Sequence, residues 1–313
     1  MPLCAFNNLL LTLLAGLIAS ANIGQADTLP RPPPYVDVIG EVRQARVKPG
    51  DTLLDIARRY DLGQDEILLA NPTVDRWLPN PGTDVLLPNR YILPRAKRTG
   101  LILNLPEKRL YYFPVPGLGK LPVVTTHPVS VGRMEWSTPV GYTRVIGKQT
   151  DPVWHPPKSL KKEAAASGES LPDVVRAGPD NPLGRYAIRL GMHGYLLHST
   201  NKPYGVGMQV THGCIRMYPE DIEKLFQDVP VGTPVQIVNQ PIKAGWLDGA
   251  LYLEVHPPLE EDRHKYGDIN QVARELISAA IAGENTKYRV MLGDNEIETA
   301  VAEQNGIPIR ISR

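Results

Sequence analysis

The sequence predicts an α+β protein weighted toward β: a β-sandwich or open barrel, preceded by a small βααβ unit and followed by an α+β extension. Three observations carry this. Short apolar runs punctuated by Gly or Pro recur between Leu101 and Val238, at the spacing of strands in an all-β domain. Pro (31) and Gly (27) make up nearly a fifth of 313 residues, which suits a loop-rich β protein better than a helical bundle. Helix-period stripes are confined to residues 53–70, 219–226 and the region after 268.

Taken in order, Leu9 to Ile18 form an apolar run too short to span a bilayer, followed by the small-x-small sites Ala19-Ser20-Ala21 and Gly24-Gln25-Ala26. Residues 1–26 therefore read as a secretory signal cleaved after Ala21 or Ala26, with no transmembrane anchor left behind. Residues 27–42, with Pro30-Arg31-Pro32-Pro33-Pro34, read as a stiff extended leader with no core of its own. In residues 43–90, Gly50-Asp51 makes a turn, and Thr52 with Asp55 approximates a capping box. Leu53, Ile56, Ala57 and Tyr60 then share one helical face. A second short helix over Gln64–Ala70 stops at Asn71-Pro72, and Val85-Leu86-Leu87 returns as a strand.

The next unit, 97–240, opens with two runs, 101–105 and 109–113, that flank Pro106-Glu107-Lys108 as a hairpin. Strands are expected over 123–130, 142–146, 186–190, 195–198 and 235–238. The Pro-rich stretch 152–183 is long for a connection inside a compact domain and reads as a lid or flexible loop, with Trp154 its best packing aromatic. Pro219 opens a helix whose Ile222, Leu225 and Phe226 face inward. In residues 241–313 a strand over 251–255, a helix capped by Asp268 and ended at Gly283, a last helix and a strand over 307–311 complete the chain. Nothing there looks catalytic, and His256 and His264 read as surface or packing residues.

Chemistry concentrates in Tyr195-Leu196-Leu197-His198-Ser199-Thr200-Asn201 and Thr211-His212-Gly213-Cys214-Ile215-Arg216. Cys214 and Cys4 are the only cysteines, so removal of residues 1–26 leaves one thiol, in a compartment that favours paired ones. A thiolate nucleophile needs a neighbouring imidazole and donors for the developing oxyanion; the Gly213 and Cys214 amides are natural candidates. His212 is near in sequence, whereas His198 ends a strand and so sits on a rigid platform; these residues leave both open as the base. Arg216 carries a fork suited to a carboxylate, or forms a salt bridge to the following helix. The set His198, His212 and Cys214 matches no zinc spacing, so no metal and no cofactor is expected. Lys+Arg 34 against Asp+Glu 33 gives a net charge of +1, which offers no broad basic face for nucleic acid.

His198-Ser199 with Thr211-His212-Gly213-Cys214-Ile215-Arg216 resembles the signature of the L,D-transpeptidases with a YkuD-type catalytic domain. Pro49-Gly50-Asp51-Thr52-Leu53, Ile56-Ala57, Ala70-Asn71-Pro72 and Pro81-Gly82-Thr83 fall in the order of a LysM module. The C-terminal extension is similar to that of an ErfK-like, enterobacterial-type subgroup. The resemblance implies a periplasmic enzyme acting on peptidoglycan stems, with Cys214 as nucleophile. His198 would be proton donor and acceptor, oriented by the Ser199 carbonyl, with His212 and Gly213 supporting. Arg216, Thr211 and Asn201 would contact substrate, and LysM would bind glycan through loops 50–54 and 71–73. It leaves two acceptor amines open: the C-terminal lysine of an outer-membrane murein lipoprotein, slightly preferred, or a second stem's diaminopimelate. A Cys–His peptidase using water and a non-catalytic wall-binding protein are the rival readings.

Overall fold

A computed structural model describes residues 27–283 and 290–312. The expected signal segment and Cys4 fall outside that range. Among the described residues no helix is long and apolar enough to cross a membrane.

The chain begins with strands β1 (Asp27–Pro30), β2 (Val38–Gly40) and β3 (Arg43–Arg46), then helices α1 (Leu53–Arg59) and α2 (Gln64–Ala70). Strands β4 (Asp84–Leu87) and β5 (Arg90–Ile92) follow. β3 pairs antiparallel with β4 beneath the two helices, which is the expected βααβ unit. Thr52 caps α1: its Oγ1 accepts from Asp55 N at 3.1 Å, and Asp55 Oδ2 accepts from Thr52 N at 3.0 Å. Such a cap contributes about 1 kcal/mol. Leu53, Ile56, Leu62, Ile67 and Val85 are fully buried between helices and hairpin. Asn71 lies inside as well: its side chain donates to the Ile67 and Leu86 carbonyls and accepts from Leu86 N. It ties α2 to β4, leaving Pro72 and Thr73 as the exposed part of the expected sugar loop.

The leader differs from expectation. β1 pairs with a barrel strand, Asp27–Pro30 against residues 123–126, and β2 pairs with β5. Ile39 joins a core with Tyr91, Leu93, Ile102 and Tyr111. Proline-rich composition signals only that the segment lacks local partners; its actual partners lie 50 to 100 residues away.

The central unit comprises β6 (Gly100–Asn104), β7 (Arg109–Phe113), β8 (Val123–Gly132), β9 (Gly141–Thr150), α3 (Lys158–Ala166) and β10 (Tyr186–Leu190). It continues with β11 (Leu196–His198), β12 (Gln209–Thr211), β13 (Ile215–Met217), α4 (Pro219–Asp228) and β14 (Pro234–Val238). Strand neighbours run β8-β13-β11-β10-β9-β14-β6-β7, and β7 pairs again with β8, which closes the circuit into a barrel. Closure leaves the ring no free edge. Leu101, Leu110, Val129, Val145, Ile188, Leu197, Ile215 and Ile237 fill it, and α4 covers one mouth with Ile222 and Leu225. The insert at 152–183 has structure of its own: α3, a bridge between Trp154 and Val175, and Asn181 Nδ2 donating to Pro152 O at 2.7 Å.

The last unit is a three-stranded sheet of β15 (Ile242–Leu247), β16 (Ala250–Val255) and β17 (Ile309–Arg310). Helices α5 (Ile269–Gly283) and α6 (Asp294–Glu303) pack on it. β15 was not anticipated, because Lys243 interrupts its apolar run. That lysine is buried, its Nζ 2.8 Å from Glu107 and 2.7 Å from Glu254, and the ion pairs hold its pKa up against burial. His256 is buried rather than superficial, with Nε2 2.6 Å from Glu254 Oε1. Burial lowers its pKa to about 3, so it is a neutral packing residue.

The βααβ unit is docked on the barrel. Arg109 of β7 is fully buried and forms a two-pronged pair with Glu66, at 2.8 Å through each prong. Arg58 makes a second fork to Glu220 of α4, at 2.7 and 2.9 Å. Gln64 N donates to Val206 O, and Tyr218 Oη donates to Leu62 O. Gly63 and Gly207 meet backbone to backbone: a Cβ on Gly63 would lie 2.7 Å from Gly207 Cα. Gly207, in the loop between the two halves of the motif, serves this approach rather than backbone mobility.

Candidate active site

The motif's two halves meet because β11 and β13 are parallel neighbours, with Leu197 opposite Ile215 and His198 opposite Arg216. Leu197 and Ile215 point into the barrel core. Side chains alternate along a strand, so His198 and Arg216 project from the other face, and Cys214 sits in the bend immediately before β13. Neither strand alone carries the constellation; the pairing register assembles it.

His198 is buried, and its Nδ1 lies 2.6 Å from the Ser199 carbonyl oxygen. A neutral ring donates Nδ1–H there and leaves Nε2 as a free acceptor. Burial, assisted by the Arg216 charge, lowers its pKa to about 4, while the Ser199 bond works the other way. The ring is therefore neutral at pH 7. Burial likewise pushes the Cys214 thiol up, opposed by the Leu196 amide directed at the sulfur and by Arg216. At rest the thiol and the imidazole are each neutral. Cys214 Sγ lies 3.5 Å from Gly194 O.

Gly213 turns the chain with φ +95°, and a Cβ there would lie 3.0 Å from the Tyr195 ring. Among the described residues the Gly213 and Cys214 N–H groups have no backbone acceptor. The loop is held from behind: Thr138 Oγ1 donates to Gly213 O at 2.9 Å and Thr211 Oγ1 donates to Cys214 O at 2.6 Å. Thr211 is buried, so its hydroxyl faces the loop's own backbone and not the solvent side where a substrate would lie.

His212 is turned to the insert. Its Nε2 lies 2.8 Å from Glu163 Oε2 of α3, Arg133 binds the other oxygen of that carboxylate, and Trp136 tilts against the ring at 5.5 Å. Trp136, not Trp154, is the aromatic beside the motif, a distinction invisible in the linear order. The Arg133 and His212 bonds hold Glu163 below the usual carboxylate range. Arg216 makes no ion pair among the described residues; of the acids of α4, Glu220 pairs with Arg58 and Glu223 accepts from Tyr186. Asn201 is exposed and donates to the Asp180 carbonyl at 3.2 Å, which ties the motif to the insert's end. Glu163 and Arg133 carried no signal in the sequence, because a lone Glu in a polar Ala-rich helix looks like solvated surface.

Residues 98–237 match the L,D-transpeptidase catalytic domain (YkuD), and residues 45–88 match the LysM domain. The probable L,D-transpeptidase ErfK/SrfK of Escherichia coli K12 is 37% identical over 303 residues, covering 95% of this chain and 94% of that protein. The chain belongs to the L,D-transpeptidase family. Two further probable L,D-transpeptidases of the same strain align equally fully. YcfS is 37% identical over 305 residues (96% of this chain, 92% of its own), and YbiS is 35% identical over 302 (95% of each). The protein is an L,D-transpeptidase joined to a peptidoglycan-binding LysM module. The match extends through the C-terminal sheet as well as the barrel.

Proposed function

We propose that this L,D-transpeptidase works through a Cys214 thioester, with His198 as the base that accepts the thiol proton and later returns it. The observation that carries the reading is that β11 ends at a neutral, Nδ1-anchored His198 while its parallel neighbour β13 begins directly after Cys214. Cys214 attacks the carbonyl carbon of the third stem residue while the proton passes to His198 Nε2. The tetrahedral oxyanion takes the unpaired Gly213 and Cys214 amides, a contribution of about 3 kcal/mol in comparable sites. Collapse breaks the peptide bond, and His198 gives its proton to the departing D-alanine amine. An acceptor amine then attacks the thioester, loses a proton to His198 and regenerates the thiol.

Arg216, half-buried and without an ion pair among the described residues, binds a stem carboxylate. His212 holds the insert in place, and the insert acts as the lid over the bound stem. Asn201, exposed beside the motif, contacts substrate, and Thr211 supports the loop. The enzyme works in the periplasm after export. Of the two acceptors, the lipoprotein lysine stands ahead of the second diaminopimelate on the ErfK-like subgroup resemblance. A muropeptide thioester offered both amines in competition distinguishes them by product mass.

The first experiment is intact-mass analysis of the purified protein after meropenem, beside Cys214→Ala. A single adduct on wild type and none on the variant is the expected result. A folded wild type that takes no adduct would overturn the thioester route and leave glycan binding as the remaining activity.

A further inference from the structure

Where the LysM unit meets the barrel, three buried side chains from distant parts of the chain converge. Asp61 follows α1, His127 lies on β8 and Asp221 lies in the first turn of α4. One ligand atom from each lies within 4.8 Å of the others. All three residues are at most 3% exposed. His127 Nδ1 stands 3.4 Å from Asp221 Oδ1, and neither Nδ1 nor Asp221 Oδ2 has a hydrogen-bond partner.

That spacing is informative. An imidazole hydrogen-bonded to a carboxylate closes to about 2.7–2.9 Å. Two ligands on one tetrahedral zinc ion, with arms of about 2.0–2.1 Å, stand about 3.3–3.4 Å apart. The neighbouring cation does not fill the place: Arg109 directs its nitrogens to Glu66, Thr126 and the Asp61 carbonyl. A second cluster, Glu107, Glu254 and His256, shows what a filled one looks like. Its ligand atoms lie equally close, but Lys243 Nζ sits on both carboxylates.

We propose that Asp61, His127 and Asp221 bind one divalent cation of the zinc class, with water or the free Asp221 oxygen completing the shell. Asp61 and Asp221 share a side-chain hydrogen bond, so one of them holds a proton that the ion would displace; two carboxylates and a neutral imidazole then balance a double positive charge. One imidazole and so few oxygens disfavour Ca²⁺ and Mg²⁺, which take six or more oxygen ligands. The ligands come from the LysM unit, from β8 and from the helix after Arg216. The ion would therefore fasten the wall-binding module to the catalytic barrel. The three residues span 160 positions of sequence, which is why no ligand spacing announced them.

The test uses the full mature chain in a Cys214→Ala background, so that no thiolate contributes. After growth with zinc and exhaustive dialysis, elemental analysis should find close to one zinc per chain. Cobalt substitution should give visible d–d bands without a thiolate charge-transfer band. His127→Gln and Asp61→Asn should reduce the metal to a trace, and chelation should lower the melting temperature of the parent but not of these variants. Only a trace of zinc in the parent, or full zinc in His127→Gln, would overturn the proposal. Should a variant fail to fold, the parent's metal content and cobalt spectrum decide alone.

Discussion

Glu66→Gln removes one charge from the LysM–barrel interface and almost nothing else. The side chain keeps its size, and an amide oxygen still accepts the Gly63 N–H that Glu66 Oε2 takes at 2.5 Å. What is lost is the partner of Arg109, a fully buried guanidinium stacked 4.3 Å from the Tyr91 ring. Burial works against that charge, but Glu66, Tyr91 and Asp61 together outweigh it and hold the pKa above the usual guanidinium value. Arg109 therefore stays charged in the variant, with its hydrogen-bonded carboxylate gone. Breaking a buried pair from one side costs about 3–5 kcal/mol. At about 2–4 °C per kcal/mol, the melting temperature falls by about 6–12 °C at the lower cost. Differential scanning calorimetry of the full chain reads this directly. Glu66→Met with Arg109→Met should recover most of the loss, because an apolar replacement strands no charge. A single variant that melts within about 2 °C of wild type, or a double variant as unstable as the single, would refute the reasoning.

Three further outcomes follow from the geometry. The Michaelis acylation rate requires neutral His198, whose pKa is lowered to about 4, so activity should persist as pH falls through 6.5 and fade near 4; an acid limb near 6.5 would place the base elsewhere. Ser199→Gly should leave the rate within about threefold of wild type, because His198 uses only the residue's carbonyl; a hundredfold loss would assign the hydroxyl a direct role. Gly63→Ala has no backbone strain, at φ −79°, yet its Cβ collides with Gly207. It should destabilise by about 1–3 kcal/mol and slow meropenem acylation together, and a stability loss with unchanged acylation would show that the loop does not lean on LysM.

Local signals were legible and distant ones were not. Thr52 and Asp55 announced α1, Pro106-Glu107-Lys108 announced the β6–β7 turn, and Gly213 beside Cys214 announced a tight loop. Each depends on neighbours a few residues away. The leader's strands, the burial of Lys243 and the docking of LysM depend on partners 50 to 200 residues distant, and no periodicity encodes those. His212 is the instructive case within the motif. Its closeness to Cys214 in sequence made it a candidate base, yet its ring nitrogen is engaged by Glu163, 49 residues upstream. Asn71 is another, a polar residue that looked available for sugar and is committed to the backbone of α2 and β4.

The docking seam also bears on how the enzyme searches the wall. A flexible tether would let the catalytic barrel sweep many stems around one anchored glycan, with an effective concentration falling as the tether lengthens. Two guanidinium forks and a glycine-to-glycine contact remove that sweep. LysM and Cys214 then share one fixed separation, so anchoring raises the local concentration of stems at that distance alone. Bound to glycan, such a molecule would meet stems at one distance, and that distance is set by Arg58, Glu66, Arg109 and Glu220.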